Sequence, residues 1–301
     1  MKIDPAYIRQ FGNIEFLAKQ MVEGFITGLH KSPYHGFSVE FAEHRLYNTG
    51  ESTRHIDWKV YAKTDRLYTK RYEEETNLRC QILIDTSSSM YYPEKDFGKI
   101  TFSIMAAASL AYMLQIQRDA VGVATFSETV ELQTQIKSTA SHIHSVFLQL
   151  EKLLSVAPKE KKSAVASMIH QIADKIHKRS LVIIFSDMFE NIQDMDNIFS
   201  ALQHLKHNRH EVLLFHVIDG KTEMDFDFEE RPYEFTDIES GEKIKIQPSE
   251  VKEHYKKSIN SFFNELKLKC GQYKIDFIVA DINKSYDQIL LPYLIKRTKM
   301  R

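Results

Sequence analysis

Three stretches of the chain are apolar for five to seven residues and then stop: 80–84, around Ile82, Leu83 and Ile84, then 120–126 and 181–185. Each is too short for a helix of ordinary length and too apolar for an exposed loop, so each reads as a strand buried on both faces. Helical periods lie between and beyond them. Residues 96–117 are apolar nearly all round, as a fully buried helix is. Positions Ile143, Val146, Phe147, Leu150, Leu153 and Leu154 give a helix over 141–154, and further helices are expected over 163–177 and 195–205. A strand follows over 211–217. The segment 231–246 reads as a hairpin turning at 239–242, and 129–135 alternates as an edge or hairpin strand does. A helix over 249–269 with Ser249 as N-cap, a strand over 275–280 and a helix over 287–296 broken locally at Pro292 complete the chain. Strand and helix alternate throughout. That alternation predicts right-handed β-α-β units and an α/β fold, a doubly wound, mainly parallel sheet with helices on both faces.

Residues 1–78 follow another pattern. Apolar positions from Phe11 to Phe25 predict one amphipathic helix over 7–27, ended at Gly28. From 30 to 77 the helical period is lost, and Gly36, Asn48 and Gly50 mark turns between short strands. The expected organisation is an α+β amino-terminal segment, 1–78, followed by the main domain, 79–301. The first segment mixes Arg45, Lys59, Lys63, Arg66, Lys70 and Arg71 with Tyr61, Tyr68 and Tyr72, a composition able to bind nucleic acid through phosphates and stacking. Glu73, Glu74 and Glu75 interrupt the basic field, and strands with alternating charged and aromatic faces explain the same composition without a nucleic-acid partner.

The 301 residues carry a net charge of −1, which favours neither a nucleic-acid binder nor an acidic tail. Cys80 and Cys270 are far apart and have no metal-ligand or redox spacing, as expected of reduced thiols in a cytoplasmic protein. Met1 to Pro5 lack the apolar core of a secretory signal. The apolar stretch 104–116 falls short of the roughly 20 residues needed to cross a bilayer, so no membrane span is expected.

The chemistry gathers where the first apolar run ends. Asp85, Ser87 and Ser89 follow it as Asp-x-Ser-x-Ser, at the carboxyl end of a strand, where the loops of a parallel sheet converge and ligands collect. One carboxylate and two hydroxyls form an oxygen-only donor set, suited to a hard cation, Mg²⁺ before Mn²⁺ or Ca²⁺, rather than to Zn²⁺. Asp187 follows the run 181–185 in the same way, so both acids are placed to meet at one sheet edge. Ser163 opens a helix, where its hydroxyl either caps the turn or reaches the ion. Two acids and three hydroxyls leave a divalent cation partly hydrated, with a position open to a partner's carboxylate.

This arrangement resembles the metal-ion-dependent adhesion site of von Willebrand factor A-type domains. More specifically, Gly50-Glu51-Ser52-Thr53-Arg54-His55-Ile56-Asp57-Trp58-Lys59, then Tyr72-Glu73-Glu74-Glu75 and Asp85-Thr86-Ser87-Ser88-Ser89-Met90, resembles the signature of the bacterial domain-of-unknown-function family 58. The resemblance runs from about Gly36 to the Asp187 loop. It implies a von Willebrand A-like domain, a bound Mg²⁺ or similar ion, and association with a MoxR-type AAA+ ATPase, for which such proteins act as adaptors in assembling or activating client proteins. The chain departs from the family where the hydroxyl before Asp187 is usually threonine. Ser163 keeps the oxygen and loses the methyl that restricts its rotamer.

Arg54, Asp57 and Trp58 admit two roles, a buried ion pair under an aromatic or a partner-binding patch. The enzymatic rival is a metal-dependent phosphohydrolase. Aspartyl phosphotransferases commonly use Asp-x-Asp with the second acid donating a proton, and Ser87 in that place cannot do so. Walker, Gly-x-Ser-x-Gly and His-Glu-x-x-His motifs are absent, so the expectation is a binding module rather than an enzyme.

Overall fold

A computed structural model of the chain describes residues 3–30, 44–46, 58–70, 78–155, 164–188, 195–236 and 243–300. The opening helix is two helices. α1 (Pro5–Phe11) is capped by Asp4, whose carboxylate accepts the Ala6 amide at 3.0 Å, and it ends at Gly12 with φ of 66°. α2 (Ile14–His30) restarts at once, with the Asn13 side chain accepting the Phe16 amide at 2.9 Å. The single helix expected over 7–27 is thus broken at Gly12, because a left-handed glycine ends a helix. Gly28, expected to end it, lies inside α2, where glycine costs only about 1 kcal/mol. Ile14, Leu17, Ala18, Met21 and Val22 are buried, while Phe11 and Phe16 face outward and stack with centroids 5.9 Å apart.

β1 (His44–Leu46) and β2 (Tyr68–Lys70) pair antiparallel, and between them lies α3 (Trp58–Thr64), a helix in a segment expected to hold turns and strands alone. Its seven residues are too few for an apolar period to declare itself.

The main sheet is built from β3 (Arg79–Asp85), β4 (Ala120–Phe126), β5 (Val130–Gln133), β6 (Leu181–Ser186), β7 (Glu211–Ile218) and β10 (Asp276–Asp281). Its six strands run in the order β10-β7-β6-β3-β4-β5, parallel except for β5, which returns antiparallel beside β4. The crossovers are α4 (Gly98–Ile116), α5 (Ala140–Leu154), α6 (Val165–Lys175), α7 (Met195–His207) and α8 (Pro248–Gln272), with α9 (Asp287–Met300) last; the hairpin β8 (Tyr233–Thr236) and β9 (Lys243–Ile246) precedes α8.

Successive strand residues face opposite sides, which divides the core in two. Ile82 and Ile84 share one cluster with α1, α2, α4, α5 and α9, whereas Leu83 joins a second with α6, α7 and α8. α4 sits in the first cluster, buried all round as its sequence implies. By length and composition it is the one helix among the described residues apolar enough to cross a membrane, and 83% of that stretch is buried inside the protein.

Two helix details depart from expectation. α8 begins at Pro248 with Gln247 as its N-cap residue, so Ser249 lies inside the first turn. Proline's fixed φ suits that first position. α9 continues through Pro292 to Met300, because Ile289, Leu290, Tyr293 and Leu294 are buried around it and offset the one lost hydrogen bond.

Candidate metal centre

β3 ends in the middle of the sheet, and its last residue is Asp85. Beyond it the Thr86 amide and hydroxyl both donate to the Phe126 carbonyl, at 2.8 Å and 2.9 Å, which fastens the loop to the end of β4. The chain then turns through a single 3-10 turn, Ser88–Tyr91. That turn aims the Ser87 amide back at Asp85 Oδ1, 2.9 Å away, and brings Ser87 Oγ and Ser89 Oγ to 3.2 Å from each other. Two hydroxyl oxygens at that spacing match neighbouring corners of one cation's coordination shell, in which oxygens at 2.0–2.1 Å from Mg²⁺ lie roughly 2.9 Å apart.

β6 supplies the next groups. It lies beside β3 with Phe185 opposite Ile84, so Ser186 and Asp187 emerge next to Asp85. Ser186 Oγ donates to Asp85 Oδ2 at 2.7 Å and accepts the Met188 amide at 2.9 Å. Asp85 and Asp187 are both buried, at 0% and 1% exposure. Burial, and then the charge of Asp187, push the Asp85 carboxyl up to about 7 against the hydrogen bonds from Ser186 and Ser87. Asp187 directly follows Ser186, which is hydrogen-bonded to Asp85, so the two acids stand at the same strand ends.

Two residues absent from the sequence reading complete the cluster. Lys99, in the first turn of α4 and 1% exposed, donates from Nζ to Asp187 Oδ2 at 2.8 Å and to Glu223 Oε1 at 2.6 Å. Burial alone would lower its affinity for a proton, but Asp187 and Glu223 hold it above the ordinary lysine range. Glu223 lies in the π-helical turn Gly220–Met224 after β7, and its Oε2 accepts the Asp219 amide at 2.7 Å. Burial raises its carboxyl despite the Lys99 charge. A signal for Lys99 was present in the sequence: a lone ammonium in a helix otherwise apolar all round must find an acid. No comparable signal marks Glu223, one acid among several polar residues of a loop. Ser186 carries no signal either, since a serine closing an apolar strand reads simply as its end.

The structure thus brings Asp85, Ser87, Ser89 and Asp187 to one rim of the sheet. Ser163 lies outside the described residues; its neighbour Ala164 is tied to the end of β4, its amide donating to the Ser127 carbonyl at 3.2 Å. Arg54 and Asp57 are likewise outside them. Trp58 is 60% exposed, with the edge of its ring system against Tyr61 at 6.1 Å, so it packs in no core. Among the described residues no group of three or more His, Cys, Asp or Glu side chains is spaced to hold a metal. The cluster at Asp85 is of another kind, carboxylates completed by hydroxyls. Its donors fit a hard dication. Asp85 offers a carboxylate already oriented by hydrogen bonds from Ser186 and Ser87, Ser87 and Ser89 add neutral oxygens, and three carboxylates against one ammonium leave a double negative charge when all are ionised.

Comparison with known proteins agrees with the sequence signature. Residues 43–261 match the family model described as Protein of unknown function DUF58. The uncharacterized protein Rv1480 of Mycobacterium tuberculosis and the uncharacterized protein Mb1516 of Mycobacterium bovis are each 23% identical over 218 residues, 72% of this chain and 67% of theirs. Among solved structures, BatB from Bacteroides thetaiotaomicron, a conserved hypothetical protein, aligns with a TM-score of 0.46 and 14% identity over 74% of this chain and 100% of its own. An aerotolerance-related membrane protein from Bacteroides fragilis aligns with a TM-score of 0.45 and 15% identity over 73% and 99%. At these values the structural likeness carries no functional inference. The family match spans well over half of the chain, and the chain belongs to the DUF58 family of proteins of unknown function.

Proposed function

We propose that this chain is a metal-dependent protein-protein interaction module with a von Willebrand A-like site, acting in the cytoplasm as an adaptor between a MoxR-type AAA+ ATPase and client proteins. The observation that carries the reading is Asp85. Its carboxyl is withdrawn from water beside a second acid, so its anionic form at neutral pH needs a compensating cation, and Ser87 and Ser89 lie where a coordination shell requires oxygens. A divalent ion held there supplies an open coordination position for a carboxylate of the partner. Asp85, Ser87, Ser89 and Asp187 would hold it, with Ser163 as the further hydroxyl. Lys99 holds one oxygen of Asp187 and so fixes the orientation of its carboxylate beside Asp85.

The exposed Trp58 and Tyr61 support an interaction role, since aromatic side chains of this kind anchor interfaces. With Trp58 outside any core, the partner-binding reading of Arg54, Asp57 and Trp58 is preferred to the buried ion pair. The ATPase as partner class rests on the family resemblance.

The test is affinity capture from the native organism with Mg²⁺ and with chelator. The proposal predicts an ATPase or client retained only with the cation and lost in Asp85→Ala. Metal-dependent turnover of phosphate esters, abolished by the same change, would instead establish the phosphohydrolase.

A further inference from the structure

A second constellation lies away from Asp85, on the helices covering the other face of the sheet. His170 of α6 and His204 of α7 meet with their Nδ1 atoms 2.9 Å apart and their rings tilted by 38°. At that distance the two nitrogens share one hydrogen bond, so one carries the hydrogen and the other accepts with its lone pair. His204 Nε2 lies 3.3 Å from Asp174 Oδ1, one helical turn beyond His170 on α6. A carboxylate there favours the His204 tautomer with its hydrogen on Nε2, which leaves Nδ1 to accept from His170. This is how a carboxylate behind a metal-ligating histidine sets its tautomer.

The spacing has chemical meaning. Two imidazole nitrogens each about 2.0–2.1 Å from one ion and at right angles to each other lie roughly 2.9 Å apart, the cis arrangement of tetragonal and octahedral sites. The rings stand on rigid supports. Ile169 and Ala173 beside His170, and Ala201 and Leu205 beside His204, are buried in one core cluster. Asn208 Nδ2 also donates to the Ala173 carbonyl at 3.2 Å, joining the two helices. The His204 side chain is 28% exposed, so the pair lies at the surface of the two helices and not in the core.

We propose that His170 and His204 form a two-imidazole site for a divalent transition-metal ion, oriented by Asp174 and completed by water. His204 keeps its hydrogen on Nε2 toward Asp174. When the ion binds, His170 exchanges its hydrogen from Nδ1 to Nε2 through solvent, and each Nδ1 gives its lone pair to the ion, so two neutral rings bind it without net loss of a proton. Nitrogen donors select this class of ion over Mg²⁺. The site is independent of the oxygen-lined cluster at Asp85.

The probe is Ni²⁺, titrated calorimetrically into the full chain at pH 7.5 with Mg²⁺ in excess to occupy oxygen sites. One ion per chain is expected, absent from the paired His170→Gln, His204→Gln variant, whose circular dichroism and melting temperature should match the parent at these partly exposed positions. Asp174→Asn should weaken binding about tenfold while leaving the stoichiometry at one. Equal Ni²⁺ affinity in the paired variant, or no saturable Ni²⁺ binding by the parent chain, would overturn the assignment.

Discussion

Lys99 Nζ lies 2.8 Å from Asp187 Oδ2, and neither side chain is more than 2% exposed. A charge pair so far from water does little for stability in sum, because its desolvation cancels most of its attraction. Losing one partner is another matter, since the other is left as a buried charge. Here the ammonium also divides its hydrogen bonds between Asp187 and Glu223, which joins the loops after β6 and β7.

Lys99→Met should therefore destabilise the protein by about 3–5 kcal/mol in denaturant unfolding. Adding Asp187→Asn should recover part of the loss, because it removes one of the orphaned charges. The double-mutant cycle measures the coupling, and purely additive effects would show that the contact contributes nothing beyond packing.

Asp85→Asn should act oppositely on stability and on metal binding. Burial and Asp187 raise the Asp85 carboxyl from 3.8 to about 7, so the folded state binds a proton that the unfolded state releases between those values. That stabilisation is complete below pH 3.8 and is lost as the pH rises through 7. At pH 8 in chelator the neutral amide should raise stability by on the order of 2–4 kcal/mol, with the gain vanishing toward pH 4. Thermal melts across that range check it. The same variant should lose the stabilisation that Mg²⁺ gives the parent.

His216 gives the reverse slope. It is wholly buried on β7, edge-on to Phe263 with centroids 4.7 Å apart, and burial pushes its imidazole down to about 3 from 6.5. Between pH 6.5 and 3 the unfolded chain takes up a proton that the folded protein refuses, so stability falls on acidification by about 1.4 kcal/mol per pH unit from this group. His216→Phe should remove that contribution. The stability difference between variant and parent should be flat above pH 7 and should grow in the variant's favour below pH 6.

Trp58 separates surface from core. At 60% exposure, Trp58→Ala should change unfolding stability by no more than about 0.5 kcal/mol. Capture of the partner should weaken by about 2 kcal/mol if the indole is an interface anchor. A large stability loss with unchanged capture would return Trp58 to a structural role.

Much of the molecule was legible because its strands are buried on both faces. Ile82 to Ile84 and the run 181–185 admit few assignments other than inner parallel strands, and this alone places Asp85 and Asp187 at strand ends. The break at Gly12 was hidden because apolar residues continue on both sides of it, Phe11 before and Ile14 and Phe16 after, and a glycine within such a run does not by itself show its left-handed backbone. α3 was hidden by its length. Glu223 was unreadable for a different reason: it reaches the site across 124 positions of sequence from Lys99, a pairing set by the order of strands rather than by local pattern. The His170–His204 contact was equally invisible, since it depends on how two helices pack on one face of the sheet.

Equilibrium titration of Mg²⁺ into the chelator-stripped chain, by calorimetry at pH 8, bears most directly on whether Asp85 and Asp187 together form a cation site. One ion per chain is expected, with binding abolished by Asp85→Asn and sharply weakened by Asp187→Asn. Saturable Mg²⁺ binding that survives both substitutions together, or no binding of Mg²⁺ or Mn²⁺ by the unaltered protein, would contradict it.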